Sequence, residues 1–448
     1  MNKKRNNPGV ALLLTLVLGL LLLAGCSSKS EKTGSGNKDK GDNTGQEANS
    51  DTEFDPDEEI TLKFMAPWSD QQVASRFKDE FEKEYPNITI EPIVEWTDKA
   101  ALEDLFAKKI FPDVLLVLGD YQELNGLEML TPLDEMVEKH QLDLSKYREG
   151  AIEAIRSRDP EGEERLLGLP IEDVMFAMFY NKDVFDTFGV KYPHDGMTWE
   201  EVIDLVPKVT GERNGVNYVG LPTNSWSQAF QQLSVTGTDP ETGEVLFVDQ
   251  PEFAKYFNLI EQLGSIPGNK VEDPEETHFK AGNVAMNLLT VSNIPNMGGE
   301  DGVNFDIVRF PTWKDLPDIV PNNLPLTLAI SPQSKHKEAA FKLLEFVSTK
   351  EQQINMAKAG VAPVLNDPEI ASYLAGEDSD LNIKGVYSGT PAKPATYSPY
   401  GPDMIYYSTN FLGTKTTEFL EQQVDVNTFI RTIEEEYETI VKEKKAQE

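Results

Sequence analysis

The sequence is poor in residues that carry metal or thiol chemistry. Its 448 residues include one cysteine, Cys26, and four histidines. A chain with a single thiol forms no internal disulfide and no zinc site of paired cysteines. The histidines stand apart from one another in polar contexts, and they are His140, His194, His278 and His336. We therefore expect no metal and no cofactor, and a fold that rests on an ordinary apolar core.

Positive charge is also scarce. The chain has 41 lysines and arginines against 76 acidic residues, which gives a formal net charge of -35 at pH 7. A field of this sign repels nucleic acids and anionic lipid surfaces. The composition therefore excludes a nucleic-acid partner and favours a soluble body outside the cell.

Several motifs that mark enzymes are missing as well. The sequence contains no G-x-x-x-x-G-K-[ST], no H-E-x-x-H and no G-x-S-x-G. We therefore expect a protein that is not an enzyme. An extracellular glycosidase stays open as an alternative, because the many acidic side chains can supply two carboxylates at a separation that sequence alone does not measure.

Long apolar runs are limited to the amino terminus. Residues Val10 to Ala24 contain only one polar side chain, Thr15, and follow a basic stretch. The run is shorter than the roughly 20 residues that cross a bilayer and ends in small residues, which is typical of a secretion signal. Residues 1-25 are therefore predicted to be a cleaved signal peptide, with a retained anchor that carries an unmodified cysteine as the alternative.

The single cysteine lies at the end of this signal. Leu23-Ala24-Gly25-Cys26 resembles the lipobox of bacterial lipoproteins, which implies that the Cys26 thiol carries a lipid and becomes the mature amino terminus. Residues 26-56 are rich in Ser, Gly, Asn, Lys, Asp and Thr, and so predict a flexible tether with a root-mean-square span of roughly 30 Å.

The folded body begins with a β-α-β-α-β pattern. Strands are predicted around Ile60-Phe64, Ile88-Val94 and Asp113-Leu118, with helices between them that begin near Ser69 and Asp98. Ser69 and Gln72 have the spacing of a capping box. Such a unit forms a parallel sheet, and ligands of open α/β sheets bind beyond the carboxyl ends of the strands. Three short segments lie there, and they are Pro67-Trp68-Ser69, Glu95-Trp96-Thr97 and Gly119-Asp120-Tyr121.

The rest of the chain predicts a second α/β lobe. Met175 to Tyr180 is an apolar strand followed by a short helix that ends at Gly189, and Thr198 opens another helix with a capping box to Glu201. Lys335 to Met356 predicts one amphipathic helix.

Five stretches, in this order, carry a resemblance to a known family. They are the lipobox, LPIEDVMFAMFYNKDVFDTFGV followed by TWEEV, FKAGNVAM (Phe279 to Met286), LAISPQSKHKEAAFKLLEFVSTKEQQ (Leu328 to Gln353), and GVAPV (Gly360 to Val364). Together they resemble the family 1 extracellular solute-binding proteins, the carbohydrate-binding lipoproteins of ABC importers.

The resemblance implies a two-lobed α/β fold. It is the periplasmic-binding-protein-like fold of type II, in which mixed sheets are flanked by helices and a hinge joins the lobes. Lobe one would combine 57-172 with 325-365, and lobe two 173-324 with 366-448. Solute would bind in the cleft and favour a closed form.

A sugar has hydroxyls around its rim and apolar faces, so its site needs aromatic planes together with carboxylates or amides. The positions of strand ends and of the late Pro/Tyr-rich segment give the ligand-binding candidates Trp68, Asp120, Asn224, Trp226, Ser292, Asn293, Tyr397 and Tyr400. Each has a packing alternative: Trp68 as a wedge between helix and sheet, Asp120 as a helix cap. For Trp96 a place in the core is as well supported as a place in the cleft. Trp199 is assigned to packing.

The resemblance therefore implies a monomeric lipoprotein on the extracytoplasmic face of the cell membrane that captures a sugar or oligosaccharide and delivers it to ABC permease subunits. The alternatives are a binding protein for a peptide or another polar solute, and a sensory co-receptor.

Overall fold

The computed structural model describes most of the folded body. The described residues are 58-118, 121-222, 226-269, 279-297, 302-322, 325-376, 379-401, 411-422 and 424-446. The predicted signal peptide 1-25, the lipidation site Cys26 and the tether 26-56 lie outside them, as do the candidates Asp120 and Asn224.

The β-α-β-α-β pattern forms a five-stranded sheet. Its strands are β1 (Ile60–Ala66), β2 (Ile88–Val94), β3 (Val114–Val117), β4 (Leu169–Glu172) and β11 (Leu326–Ile330), in the order β2-β1-β3-β11-β4. The strand β1 pairs in parallel with β2 and β3, whereas β11 runs antiparallel to β3 and β4. The predicted parallel unit is confirmed, and the late strand β11 makes the sheet mixed.

Helices cover this sheet. In chain order they are α1 (Asp70–Val73), a π-helical turn (Ala74–Lys78), α2 (Asp79–Glu84), α3 (Lys99–Ala107), α4 (Gln122–Gly126), α5 (Asp134–His140), a 3-10 turn (Leu144–Lys146) and α6 (Ala151–Arg156). The predicted capping box is present, because the Ser69 hydroxyl accepts from the Gln72 N–H while the Gln72 side chain accepts from the Ser69 N–H. Asp98 caps α3 through the N–H of Ala101.

A second sheet has three strands. They are β5 (Phe176–Asn181), β8 (Met286–Thr290) and β9 (Phe305–Arg309), in the order β8-β5-β9 with both pairs antiparallel. Two short pairs accompany it, formed by β6 (Gly211–Arg213) with β7 (Val216–Tyr218) and by β10 (Ile319–Val320) with β12 (Thr390–Pro391).

The other helices and turns, apart from two helices described below, follow β5 in the chain. They are α7 (Lys182–Phe188), α8 (Trp199–Leu205), a 3-10 turn (Val206–Lys208), α9 (Gln228–Gln231), α10 (Pro251–Gly264), 3-10 turns (Phe279–Ala281 and Val291–Asn293), α11 (Ile294–Met297), α14 (Pro368–Ser372), a 3-10 turn (Tyr373–Ala375), α15 (Ile383–Tyr387), α16 (Phe411–Glu421) and α17 (Val426–Lys445). Gly189 ends α7 with φ of 66°, a left-handed conformation that favours glycine. Thr198 and Glu201 form the predicted capping box.

One helix prediction is wrong. The segment expected to form a single helix over Lys335 to Met356 contains two, α12 (Lys337–Val347) and α13 (Lys350–Lys358). Between them the Ser348 hydroxyl donates to the Leu344 carbonyl, and Thr349 caps α13 by accepting from the Gln352 N–H. These local hydrogen bonds compete with the helical ones and end α12.

The central strand of the second sheet, β5, contacts two separate cores. Along β5, Ala177 and Phe179 contact a core built mainly on β1, β3, β11 and α12, whereas Met178 and Tyr180 contact a second core with α8, α10 and α17. The alternation follows from the two-residue period of a strand. The lobe boundaries given by the resemblance remain a prediction.

Candidate functional site

One edge of the five-stranded sheet collects the ends of several strands. Because β1, β2 and β3 are parallel, their carboxyl ends lie together, and β4 ends there too since it runs antiparallel to β11. We call this the lobe-one edge and define it by the described residues that follow β1, β2 and β3, namely 67-69, 95-99 and 121-123. In open α/β sheets this edge is where ligands bind.

The second sheet begins next to that edge. Only residues 173-175 separate the end of β4 from the start of β5, and the Val291 N–H donates to the Met175 carbonyl at 2.9 Å. The strand β8 therefore ends beside this connection. We call residues 174-176 and 290-293 the lobe-two edge. The two edges lie on either side of a three-residue connection, which brings the end of β4 close to the end of β8.

Trp68 lies at the lobe-one edge but is largely covered. Its side chain is 9% exposed, 6.1 Å from the Phe64 ring, and the Arg76 guanidinium lies 4.2 Å from its ring centre. Arg76 in turn pairs with Glu172 at 2.7 Å. These contacts fit the alternative in which Trp68 packs between helix and sheet. A direct contact of Trp68 with a ligand remains a prediction.

Trp96 lies at the same edge but is exposed to solvent. Its side chain is 58% exposed. The Thr97 hydroxyl beside it is buried and has no hydrogen-bond partner among the described residues. The sequence pattern fits a core role for Trp96 equally well, so Trp96 is not among the ligand-binding candidates, although its position after β2 is the same signal that favours Trp68.

The third segment of the lobe-one edge is anchored by a tyrosine. The Tyr121 hydroxyl lies 2.8 Å from the Thr327 hydroxyl, and burial raises the pKa of this phenol well above its ordinary value. Tyr121 thus ties the start of α4 to β11. The neighbouring candidate Asp120 lies outside the described residues.

Ser292 and Asn293 lie at the lobe-two edge, as predicted for residues that follow β8. Both are half-buried and bond to Thr290: the Ser292 and Thr290 hydroxyls are 2.9 Å apart, and the Asn293 amide donates to the Thr290 hydroxyl at 2.8 Å. Their place fits a ligand role, which no contact in the structure tests.

The aromatic candidate Trp226 is fully buried in the second core. Its Nε1 donor and the buried Gln228 Oε1 have no hydrogen-bond partner among the described residues. Buried polar atoms of this kind are usually satisfied by a protein group, water or ligand. A ligand role for Trp226 stays a prediction.

The late tyrosines lie in a loop that packs on the second core. Tyr400 contacts the carboxyl-terminal helix, because the Tyr437 hydroxyl donates to its carbonyl at 3.0 Å and the Lys445 ammonium lies 4.8 Å from its ring centre. Tyr397 is half-buried. The hydroxyl of the next residue, Ser398, accepts a hydrogen bond from the Thr238 hydroxyl at 2.8 Å. These contacts show packing, and ligand contact by either tyrosine remains a prediction.

Two adjacent acids occupy the connection between the sheets. Glu172 pairs with Arg76, and Asp173 accepts from Arg148 at 3.0 Å. Burial raises the pKa of both carboxyls, although the paired arginines oppose the shift. The backbone here is also held, since the Asp173 N–H donates to the Ala362 carbonyl.

The described residues form no group of three or more His, Cys, Asp or Glu side chains arranged to hold a metal ion. Among them, no helix combines the length and apolar character needed to cross a bilayer.

Comparison with known proteins now defines the family. The profile of the bacterial extracellular solute-binding proteins matches residues 63–354, about two thirds of the sequence. The chain belongs to this family. The predicted recognition is therefore confirmed, and family membership assigns the chain to solute-binding proteins rather than to a family of enzymes.

Individual relatives are distant. The sn-glycerol-3-phosphate-binding periplasmic protein of Brucella melitensis biotype 1 is 23% identical over 291 residues, which cover 58% of this chain and 62% of that protein. The chain thus matches less than two thirds of the length of this relative.

Solved structures show the same fold. A sugar transporter from Rhizobium etli in an open conformation has a TM-score of 0.66 at 18% identity and covers 84% of this chain and 99% of its own. An ABC substrate-binding protein from Listeria monocytogenes in complex with cycloalternan has a TM-score of 0.66 at 16% identity and covers 86% and 99%. The predicted class, a two-lobed fold with mixed sheets flanked by helices, is confirmed.

Proposed function

We propose that this protein is the solute-binding lipoprotein of an ABC importer and captures a sugar or oligosaccharide between its two lobes. The observation that carries the proposal is the match to the solute-binding family over residues 63–354, combined with two sheet edges that flank one short connection. Two of the solved neighbours, a sugar transporter and a substrate-binding protein in complex with cycloalternan, support the carbohydrate class.

The test is a thermal-unfolding screen of the full-length chain, purified in detergent, against uncharged sugars, phosphate esters and short peptides. A ligand that binds only the folded state at 100 times its Kd adds about 2.7 kcal/mol of stability. We expect a rise in Tm with a mono- or oligosaccharide. Stabilisation by peptides alone would contradict the carbohydrate class. Stabilisation by sn-glycerol 3-phosphate would indicate that this chain shares the ligand for which the Brucella relative is named.

We also propose that the mature chain is anchored at the extracytoplasmic face of the membrane through a lipid on Cys26. The support is the sequence Leu23-Ala24-Gly25-Cys26 after an apolar run, together with the extracellular character of the family. Metabolic labelling with a palmitate analogue should label the wild-type chain and not Cys26→Ala. Equal labelling of the two would exclude this anchor.

Binding without catalysis is part of the same proposal. Incubation with the sugar that binds should release no new reducing ends. Release of reducing ends would support the glycosidase alternative instead.

A further inference from the structure

One tryptophan differs from all the others. The sequence has five, and four of them are at most 9% exposed, whereas Trp96 is 58% exposed. The four covered ones are Trp68, Trp199, Trp226 and Trp313. An indole combines a large apolar plane with one donor, so it is costly to leave in water and well suited to a ligand that has an apolar face and a polar rim.

The position of Trp96 is fixed by strand pairing. Ala66 at the end of β1 pairs with Val94 at the end of β2, and the Glu95 N–H donates to the Ala66 carbonyl at 3.2 Å. Trp96 therefore leaves the sheet beside the segment that holds Trp68, at the end of the outer strand β2. It belongs to the lobe-one edge and not to the outer surface of the helices.

The backbone around Trp96 is held while its side chain is not. Asp98 caps α3 through the Ala101 N–H at 2.9 Å, and the Lys99 N–H donates to the Glu123 carboxylate at 3.3 Å. The indole thus projects from a loop that is braced from one side by β1 and from the other by α3 and α4. A braced loop with an exposed plane loses little conformational freedom on binding.

Charge at this edge argues against an anionic ligand. The described residues of the lobe-one edge and the first position of α1 include four acids and one lysine, and they are Asp70, Glu95, Asp98, Glu123 and Lys99. Of the arginines close by, Arg76 is paired with Glu172, and Arg158 lies near Tyr121. A phosphate monoester brings roughly one and a half to two negative charges at pH 7 and so meets a field of its own sign.

We propose that Trp96 is the exposed aromatic platform of the binding site, against which the apolar face of an uncharged sugar ring stacks, and that the acidic edge selects this ligand over phosphate esters. The inference rests on the proposed function and names its substrate class and a residue that sets it. The Thr97 hydroxyl, buried without a partner among the described residues, is an unused polar group beside the platform.

The test compares three variants of the full-length chain in detergent by isothermal titration. The probes are glucose, maltose, maltotriose, cycloalternan and D-mannitol as uncharged ligands, and sn-glycerol 3-phosphate as the phosphate ester. Trp96→Ala should weaken sugar affinity at least about tenfold, and Trp96→Phe, which keeps a plane, should recover most of it. The matched control is Phe111→Ala, which removes a 41% exposed aromatic just before β3, at the opposite edge of the same sheet. It should change affinity less than about twofold.

A second readout reports contact directly. Saturating sugar should protect the wild-type chain from quenching of its tryptophan fluorescence by acrylamide, an uncharged quencher, and this protection should be absent from Trp96→Phe. Equal sugar affinity of wild type and Trp96→Ala would overturn the inference and leave the proposed function intact. Tighter binding of a phosphate ester than of every uncharged probe would overturn the substrate class. Absence of binding by any probe would contradict the proposed function and, with it, this inference.

Discussion

At the scale of single residues, Asp159 shows how much of one loop depends on a single buried carboxylate. It accepts backbone N–H groups of Glu161, Glu163 and Arg165, and the Arg165 guanidinium lies 2.6 Å from it. Arg165 also donates to the Asn125 side chain on α4 at 3.3 Å. Burial alone would raise the pKa of the Asp159 carboxyl, but these donors hold it below its ordinary value.

Asp159→Asn should therefore destabilise the fold in a pH-dependent way. The side-chain amide of the introduced asparagine points its N–H group at N–H donors that faced the carboxylate. We expect this to lower the unfolding free energy by about 2–4 kcal/mol at pH 7. A carboxyl whose folded pKa is lowered stabilises the fold above its unfolded pKa, and this stabilisation is lost as pH falls through the folded pKa. The difference between wild type and variant should therefore shrink below pH 3.8.

Urea unfolding at pH 7 and at pH 3 measures this difference. The control is Asp143→Asn, which alters a carboxylate that also accepts a turn N–H but lies at the surface. Its effect should be clearly smaller. An Asp159→Asn penalty that is equal at the two pH values would contradict the assignment of the effect to the ionised carboxylate.

At the scale of elements, the sequence was sufficient wherever neighbours along the chain decide the structure. The capping boxes at Ser69 and Thr198 follow from residues three positions apart, and the parallel β-α-β unit follows from a strand-helix-strand pattern in one continuous stretch of about 30 residues. The opposite burial of Trp68 and Trp96 was not predicted. Each lies two residues after the end of a strand, but β1 is an interior strand and β2 is the edge strand. The local sequence pattern does not reveal the order of the strands in the sheet.

The break between α12 and α13 is a testable element. Apolar periodicity runs through it, so the sequence predicted one helix, yet the Thr349 hydroxyl accepts from the Gln352 N–H and donates to the Phe346 carbonyl. Thr349→Ala should reduce the unfolding free energy by about 1 kcal/mol, as loss of an N-cap does.

The matched control for this break is Thr432→Ala. Thr432 is an exposed threonine inside α17 whose hydroxyl only donates to the Thr428 carbonyl. Because alanine favours a helix interior, this change should be neutral or slightly stabilising in the same chemical-unfolding assay. Equal losses for the two alanine variants would show that Thr349 acts as an ordinary helical residue and not as a cap.

At the scale of the whole molecule, the connection between the two sheets is held by charge as well as by backbone. Asp173 accepts from Arg148, and the backbone N–H groups of both residues donate to one later segment, to Ala362 and Val364 respectively. Both side chains of the pair are at most 12% exposed. The pair thus joins three separate parts of the chain where it passes from the first sheet to the second.

This pair should respond asymmetrically to loss of its members. Burial raises the Asp173 pKa despite Arg148, so its charged form costs folding energy, and this cost grows as pH rises through the folded pKa. Arg148→Met leaves a buried carboxylate unpaired and should lower the unfolding free energy by about 3–5 kcal/mol at pH 7. Asp173→Asn removes the buried charge while keeping the shape, and should cost less than Arg148→Met.

The pH dependence separates this account from simple loss of packing. As pH falls below the raised folded pKa of Asp173, its carboxyl becomes neutral in the folded state while it is still largely ionised in the unfolded chain, so the Arg148→Met penalty should decrease. The double variant with Asp173→Asn should show little of this pH dependence. Denaturant unfolding of the two single variants and the double variant at pH 7 and pH 4 measures both effects. If Arg148→Met and Asp173→Asn lose equal stability at both pH values, the pair acts at this connection through packing alone.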